Sequence, residues 1–245
     1  MVLDPDVTRD ALLGGAIELV QPRAGYRVNV DSILLAAFAT GRRAALAVDL
    51  GSGVGAVALL AHHHGLAREL ALVEHEPELA ELARQNLERA GVDGRVFVRD
   101  LDGPGLPLEL CGKAGLVLSN PPFFNEREHR PPKSAARKAA RIGGIAPFLR
   151  AASLALSGDK ARAAFVYPAR GLEGLLTAAR GASLVPKRLR FVHAYAGKPA
   201  RLALVELRRA KPGGLVVEPP LVEWERPGRR SAELLRLTAG ASGRS

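Results

Sequence analysis

Cysteine and aromatic side chains are scarce in this chain. A single cysteine, Cys111, has no partner for an intrachain disulfide and supplies no cysteine set for a zinc site. Aromatic residues make up 4% of the sequence, so the core has to be assembled from Ala, Leu and Val. No run approaches the ~18 continuous apolar residues of a membrane-spanning helix. The opening stretch, Met1 to Asp6, shows no basic segment followed by an apolar one. The expectation is therefore a chain without a secretory signal, working in a reducing cytoplasm, with no membrane partner. Glycine and proline show no period, which excludes a fibre. What is present is ordinary for a globular protein: 245 residues, 47% hydrophobic and 24% charged. We read residues 1–245 as one domain: a leader and helix over 1–44, a sheet-bearing body over 45–210 and a tail over 211–245.

The net charge is +10, unevenly placed. Residues 1–120 hold 11 Lys+Arg against 16 Asp+Glu, whereas residues 121–245 hold 24 against 9. A compositional bias toward arginine would touch both halves alike. A basic surface attracts polyanions and releases their counterions on contact, so the second half points to a nucleic-acid partner.

Strands and helices alternate along the body. Short apolar runs over 45–50, 70–74, 95–99, 115–119 and 161–167 read as strands, with two more over 188–194 and 201–207. Helices are expected over about 31–39, with Asp31 as an acceptable N-cap, and over 55–64, 77–90, 146–156 and 171–180. The alternation predicts an α/β fold with a mostly parallel sheet and helices on both faces. Turn signals break up residues 1–30, and the Pro-, Gly- and Arg-rich tail shows no clear element.

The loop after the first strand reads Asp49-Leu50-Gly51-Ser52-Gly53-Val54-Gly55. Glycines permit positive φ and let a ligand come close to the backbone. The spacing is G-x-G-x-G, unlike the G-x-G-x-x-G of a dinucleotide cradle, and no phosphate-loop lysine follows. This disfavours a nicotinamide oxidoreductase. An acidic residue ahead of the loop suits a cationic ligand, and S-adenosylmethionine carries an ammonium and a sulfonium. Glu74 closes the second strand, 19 residues after Gly55, where a carboxylate can accept from ribose hydroxyls. Asp100 closes the third strand and is placed to accept from an adenine amino group, with Asp102 equally placed by eye.

After the fourth strand stands Asn120-Pro121-Pro122-Phe123. Two prolines fix φ and hold Asn120 extended, and neither offers an N–H. The Asn120 side-chain oxygen and the Pro121 carbonyl can accept both hydrogens of a planar exocyclic amine, while Phe123 stacks on the ring that bears it. Such a grip favours a tetrahedral nitrogen whose lone pair points at a methyl donor, with alignment supplying much of the rate gain.

With these residues in view, the sequence resembles the class I S-adenosylmethionine-dependent methyltransferases, and more narrowly the valine-tRNA adenine-N6 methyltransferase family of the "methyltransferase small" group. Gly14-Gly15, Gln21-Pro22, Gly25-Tyr26-Arg27 and Asp31 to Ala36 resemble that family's leader. Asp49 to Gly55, Glu74 and Asn86 resemble its cofactor half, and Asn120 to Phe123 its target-amine turn, where tyrosine is more usual than Phe123. The resemblance implies a Rossmann-like, seven-stranded sheet with its last strand antiparallel, and a cofactor held by Gly51, Gly53, Gly55 and Glu74. With the residues beside them, the cofactor set is Asp49, Gly51, Ser52, Gly53, Gly55, Glu74, Asp100 and Asn120, and the catalytic set Asn120, Pro121, Pro122 and Phe123. The substrate implied is RNA, a tRNA adenine N6 first; guanine N2 of ribosomal RNA and the side-chain amide of a protein glutamine are the alternatives. A non-catalytic RNA-binding module on the same fold stays open beside them.

Four further features carry expectations. The segment after the turn concentrates Arg127, Arg130, Lys133, Arg137, Lys138 and Arg141 against Glu126 and Glu128, either as a phosphate-contacting surface or as a solvated loop. Tyr26, Arg27 and Asp31 touch the methionyl part of a cofactor, or merely form a turn and cap. His62-His63-His64 reads as a solvated helix end, because adjacent helical residues point about 100° apart and cannot converge on one metal ion. Trp224 reads as a packing residue.

Overall fold

The structure, a computed structural model, describes residues 6–24, 27–122 and 144–239. A hairpin of β1 (Val7–Leu12) and β2 (Ile17–Pro22) comes first, followed by α1 (Val30–Phe38). Then β3 (Ala44–Leu50), α2 (Ala56–His63), β4 (Ala67–Glu74), α3 (Pro77–Arg89), β5 (Gly94–Val98) and β6 (Leu116–Ser119) form the first half of the sheet unit. The second half contains α4 (Ala146–Ala155), β7 (Arg162–Pro168), α5 (Leu172–Gly181), β8 (Val185–Tyr195) and β9 (Ala200–Arg208). The chain closes with β10 (Val216–Val217), β11 (Leu221–Arg226), β12 (Arg229–Arg230) and α6 (Ala232–Thr238).

The large sheet runs β5-β4-β3-β6-β7-β9-β8, with β9 antiparallel to both of its neighbours and the rest parallel. These are the seven strands expected. The sheet does not stop there: β10 and β11 pair in parallel with successive stretches of β8, and β12 folds back on β11, making ten strands. Pro219 and Pro220 lie between β10 and β11. They have no N–H to donate to a ladder, so one edge strand is broken into two short pieces. Their shortness hides the extension in the sequence.

Apolar side chains fill both faces of the sheet. One core layer packs α1, α2 and the leader hairpin against Leu70, Leu118 and Leu204, and the other packs α4 and α5 against Val48, Val117 and Phe165. The strands are accordingly near-continuous in Val, Leu and Ala, as strands covered on both faces must be. The leader, which reads as unpatterned turns, is held as a hairpin from inside. The buried Asn86 amide of α3 accepts from Val20 N (2.7 Å) and donates to the carbonyls of Val20 (2.9 Å) and Val54 (3.0 Å). Asn86 thus ties the hairpin to the glycine loop.

Helix α1 is fastened at both ends. Its cap is Asn29, which accepts from Asp31 N, and not Asp31 as the sequence suggests. Asp31 is buried in the first turn, where Arg201 of β9 bridges it (3.0 Å) and Glu223 of β11 (2.6 Å). At the other end, the buried guanidinium of Arg162 donates to the carbonyls of Ala39 and Arg42. Arg188 donates to Phe38 O and lies 4.6 Å over the Phe38 ring. Cations at a helix C-terminus satisfy the last carbonyls and complement the helix dipole.

Candidate active site

Chain order along the sheet reverses between β3 and β6: the strands go outward through β4 and β5 on one side and through β7 on the other. Ligands of open α/β sheets bind beyond the carboxyl ends of the strands at such a switch point. A cleft of about 710 Å³ lies there. It is bordered by Gly51, Gly53, Glu74, Asp100, Asn120, Pro121 and Pro122, so residues from four separate sequence signals meet around one space. Its volume is in the range of a site for a cofactor-sized molecule.

The glycine loop needs its glycines. Gly51, Gly53 and Gly55 have φ of 68°, 53° and 85°, alternating with ordinary residues. A Cβ on Gly51 would also sit 2.8 Å from the Phe148 ring, and one on Gly55 3.0 Å from Leu72. The loop bends back on the end of β4: Gly51 N and Ser52 N donate to Val73 O, and Gly53 N donates to the Glu74 carboxylate at 2.8 Å. The other Glu74 oxygen accepts from His75 N and Glu76 N and lies 2.9 Å from His75 Nδ1. A carboxylate offers about four acceptor positions, so the one left faces from Oε2. Glu74 therefore both shapes the loop and keeps an acceptor in hand.

Beneath the loop, Asp49 and Ser52 are buried and do not line the cleft, and Gly55 caps α2 behind it. One Asp49 oxygen accepts from Ala58 N; the other, like Ser52 Oγ, has no partner among the described residues. Burial pushes the Asp49 carboxyl up to about 7, with the Ala58 N–H opposing and the neighbouring Glu74 charge adding. A buried acceptor without a donor, next to a second carboxylate, suits a bound cation. Asp49 does not reach the cleft, so the fit to S-adenosylmethionine rests on the carboxylates that border it, Glu74, Asp100 and Asp102, beside the open backbone of Gly51 and Gly53. Asp100 is exposed at the cleft wall and accepts from Asp102 N, while Asp102 pairs with Arg150 of α4 (3.6 Å). The two acidic residues, indistinguishable in the sequence, are told apart by that ion pair.

Asn120 faces the cleft from the opposite side. Its Nδ2 donates to Ser32 Oγ of α1 (3.3 Å), which leaves Oδ1 to accept from a substrate. The preceding Ser119 donates to Leu50 O (2.8 Å), locking the turn onto the strand that feeds the glycine loop. Two residues, one lining the cleft and one behind its wall, carried no assigned role in the sequence. Phe148, on the first turn of α4, covers Gly51; Ser32 contacts Asn120 from 88 residues away. Arg27 also borders the cleft, paired with Asp10 (3.0 Å), which Gln21 holds in turn. Tyr26, Phe123 and the whole basic set Arg127, Arg130, Lys133, Arg137, Lys138 and Arg141 lie outside the described residues. The described residues hold no group of three or more His, Cys, Asp or Glu able to ligate a metal, and no helix long and apolar enough to cross a membrane.

Comparison with known proteins gives a consistent picture. The family model described as "Methyltransferase small domain" matches residues 27–138. A tRNA1(Val) (adenine(37)-N6)-methyltransferase of Trichodesmium erythraeum is 30% identical over 196 residues, covering 78% of this chain and 81% of the relative. A release factor glutamine methyltransferase of Mycolicibacterium smegmatis is 44% identical, but over only 94 residues, 38% of this chain and 32% of the relative. Among solved structures, a predicted O-methyltransferase from Agrobacterium tumefaciens superposes with a TM-score of 0.66 at 22% identity, covering 88% of this chain and 99% of that one. M. jannaschii TYW2 in complex with AdoMet superposes at 0.58 with 12% identity, covering 86% and 90%. These two share the fold.

Proposed function

Because the chain belongs to the methyltransferase small domain family and has S-adenosylmethionine as its cofactor, we propose that it methylates an exocyclic amine of RNA, adenine N6 of a tRNA. The observation that carries this reading is the position of Asn120. Its carbonyl oxygen, which has no partner among the described residues, shares one cleft with the glycine loop and Glu74, and its NH2 is engaged by Ser32.

When bound, the cofactor supplies an electrophilic methyl group on sulfur. The protein's share is to present the amine. Asn120 Oδ1 and the Pro121 carbonyl accept the two amine hydrogens, pull the nitrogen toward a tetrahedral shape and free its lone pair. Phe123 is assigned to stack on the base. The nitrogen would take the methyl carbon as that carbon's bond to sulfur breaks, with the electron pair left on a neutral thioether, and would lose one proton to solvent, so no strong base is needed beforehand. Gly51 and Gly53 admit the cofactor close to the backbone, Glu74 Oε2 accepts from its ribose, and Asp100 from its adenine amino group. A protein amide would satisfy the same two acceptors. The excess of 24 Lys+Arg over 9 Asp+Glu after residue 120 favours a polyanion, and the likeness to the adenine-N6 relative spans most of both chains while that to the glutamine methyltransferase spans about a third.

The test is transfer of labelled methyl to total RNA and total protein, followed by nucleoside and amino-acid analysis. Label in N6-methyladenosine from tRNA is the expected result. Label confined to methylguanosine or to glutamine would replace the acceptor, and absence of cofactor binding by calorimetry would leave an RNA-binding module.

A further inference from the structure

The last strands bring an unexpected set of side chains to the same edge of the sheet as the cleft. β11 runs parallel to β8, with Trp224 in register with Tyr195. Both strands therefore end at the carboxyl edge. Beyond them lie the β8–β9 turn, which carries Lys198, and the β11–β12 turn, flanked by Arg226 and Arg229-Arg230. Trp224, read from the sequence as a packing residue, packs here against an arginine at the sheet edge. It is half-exposed and joins neither core layer, and its ring carries the Arg230 guanidinium at 5.6 Å. Tyr195 is likewise half-exposed and outside both layers.

The charges there differ from those nearby. Along the same strands Arg188, Arg190, Arg201 and Arg208 are each engaged by a carboxylate: Glu206 and Glu218, Glu233, Glu223 and Asp31, and Glu206. At the edge only Arg229 is so engaged, by Glu225. Lys198, Arg226 and Arg230 are exposed and form no ion pair among the described residues. Two partly exposed aromatic rings, one of them carrying Arg230 on one face, beside the cations Lys198 and Arg226, unpaired among the described residues, match the chemistry of a nucleic-acid strand, with stacking surfaces for bases and charge for phosphates. Four strand spacings separate β11 from β6, the strand that delivers Asn120. At ~4.8 Å each that is roughly 20 Å, a span of a few nucleotides.

We infer that Tyr195, Lys198, Trp224, Arg226 and Arg230 form a docking platform for the RNA strand flanking the target nucleotide. This rests on the RNA reading above. The platform holds the strand while the target base enters the cleft, which for a paired or stacked base requires extrusion.

The test compares wild-type protein with Arg226→Ala/Arg230→Ala, Arg226→Lys/Arg230→Lys and Trp224→Leu. It uses unmodified tRNA transcript as substrate, with cofactor affinity by calorimetry as the check of folding. For the double alanine variant KM for tRNA is expected to rise roughly 10- to 30-fold, with kcat at saturating tRNA within about twofold. The slope of log affinity against log salt should become shallower by about 1.5–2, the share of two phosphate contacts. The lysine pair should restore both, since phosphate contact needs charge more than shape. Trp224→Leu should raise KM at least about fivefold and leave the salt slope alone. A tRNA KM and salt slope within twofold of wild type in the double alanine variant overturns the platform while RNA methylation stands. Methyl transfer by the wild-type protein to protein glutamine alone overturns the substrate reading and the platform with it.

Discussion

Asn120 and Ser32 separate two kinds of contribution to one reaction. Replacing Asn120 by Ala removes an acceptor that acts on the nitrogen as it changes shape. kcat is expected to fall by about 10²- to 10³-fold with cofactor affinity nearly intact, the scale seen when a positioned hydrogen-bond partner is lost. Ser32→Ala leaves the acceptor in place but frees the amide to rotate, so a kcat loss of about 5- to 10-fold with little change in KM is expected. Steady-state kinetics beside calorimetry reads both; equal loss of cofactor binding and turnover would contradict the assigned roles. Asp49 adds a pH signature. Its carboxyl is held near 7 against an ordinary value of 3.8, so between those values the unfolded chain gives up a proton that the native chain keeps. The stability it contributes in acid is thus lost as pH rises from about 4 to about 7, and is level above. Asp49→Asn should flatten that slope in urea melts taken across the window. The Asn120 turn was readable because four adjacent residues carry it. Ser32 and Phe148 were not, since their contacts exist only once distant segments are folded together.

At the scale of elements, the described strands and helices between residues 44 and 208 were legible to within a residue or two, save that β4 and β8 each begin three residues earlier than read, because buried parallel strands write continuous Val-, Leu- and Ala-rich runs and their helices start and stop on Pro and Gly. Two regions were not. The leader hairpin owes its form to Asn86, whose three hydrogen bonds reach residues 20 and 54. β10 and β12 have two residues each, too few for any alternation to register. Helix α1 offers a direct measurement. Arg162→Ala would leave Ala39 O and Arg42 O without their donors, and a loss of about 1–3 kcal/mol in equilibrium unfolding is expected.

Considered as a whole, the molecule divides its labour by charge. On the proposed reading the acidic first half faces a cationic cofactor, and the excess of Lys and Arg in the second half attracts the RNA. Raising salt from 50 to 200 mM should therefore weaken RNA binding by at least about tenfold and leave cofactor affinity within about twofold; filter binding and calorimetry measure the pair. The charge asymmetry itself is visible in the sequence. Which cations are available to a partner is not, because that depends on the carboxylates that fold against them, as Glu206 and Glu218 do on Arg188.

The Asp31–Arg201–Glu223 bridge gives the final strands a say in chemistry they never touch. Glu223 is supplied some hundred residues after Asn120, yet it steadies the arginine that steadies the first turn of α1, next to the serine that aims Asn120. A chain cut shortly before Leu221 would keep the glycine loop, Glu74 and Asn120 but lose Glu223. Such a product is expected to keep its donor affinity in calorimetry while its kcat falls, which makes a carboxylate on the outermost ladder a remote brace for the acceptor side of the cleft.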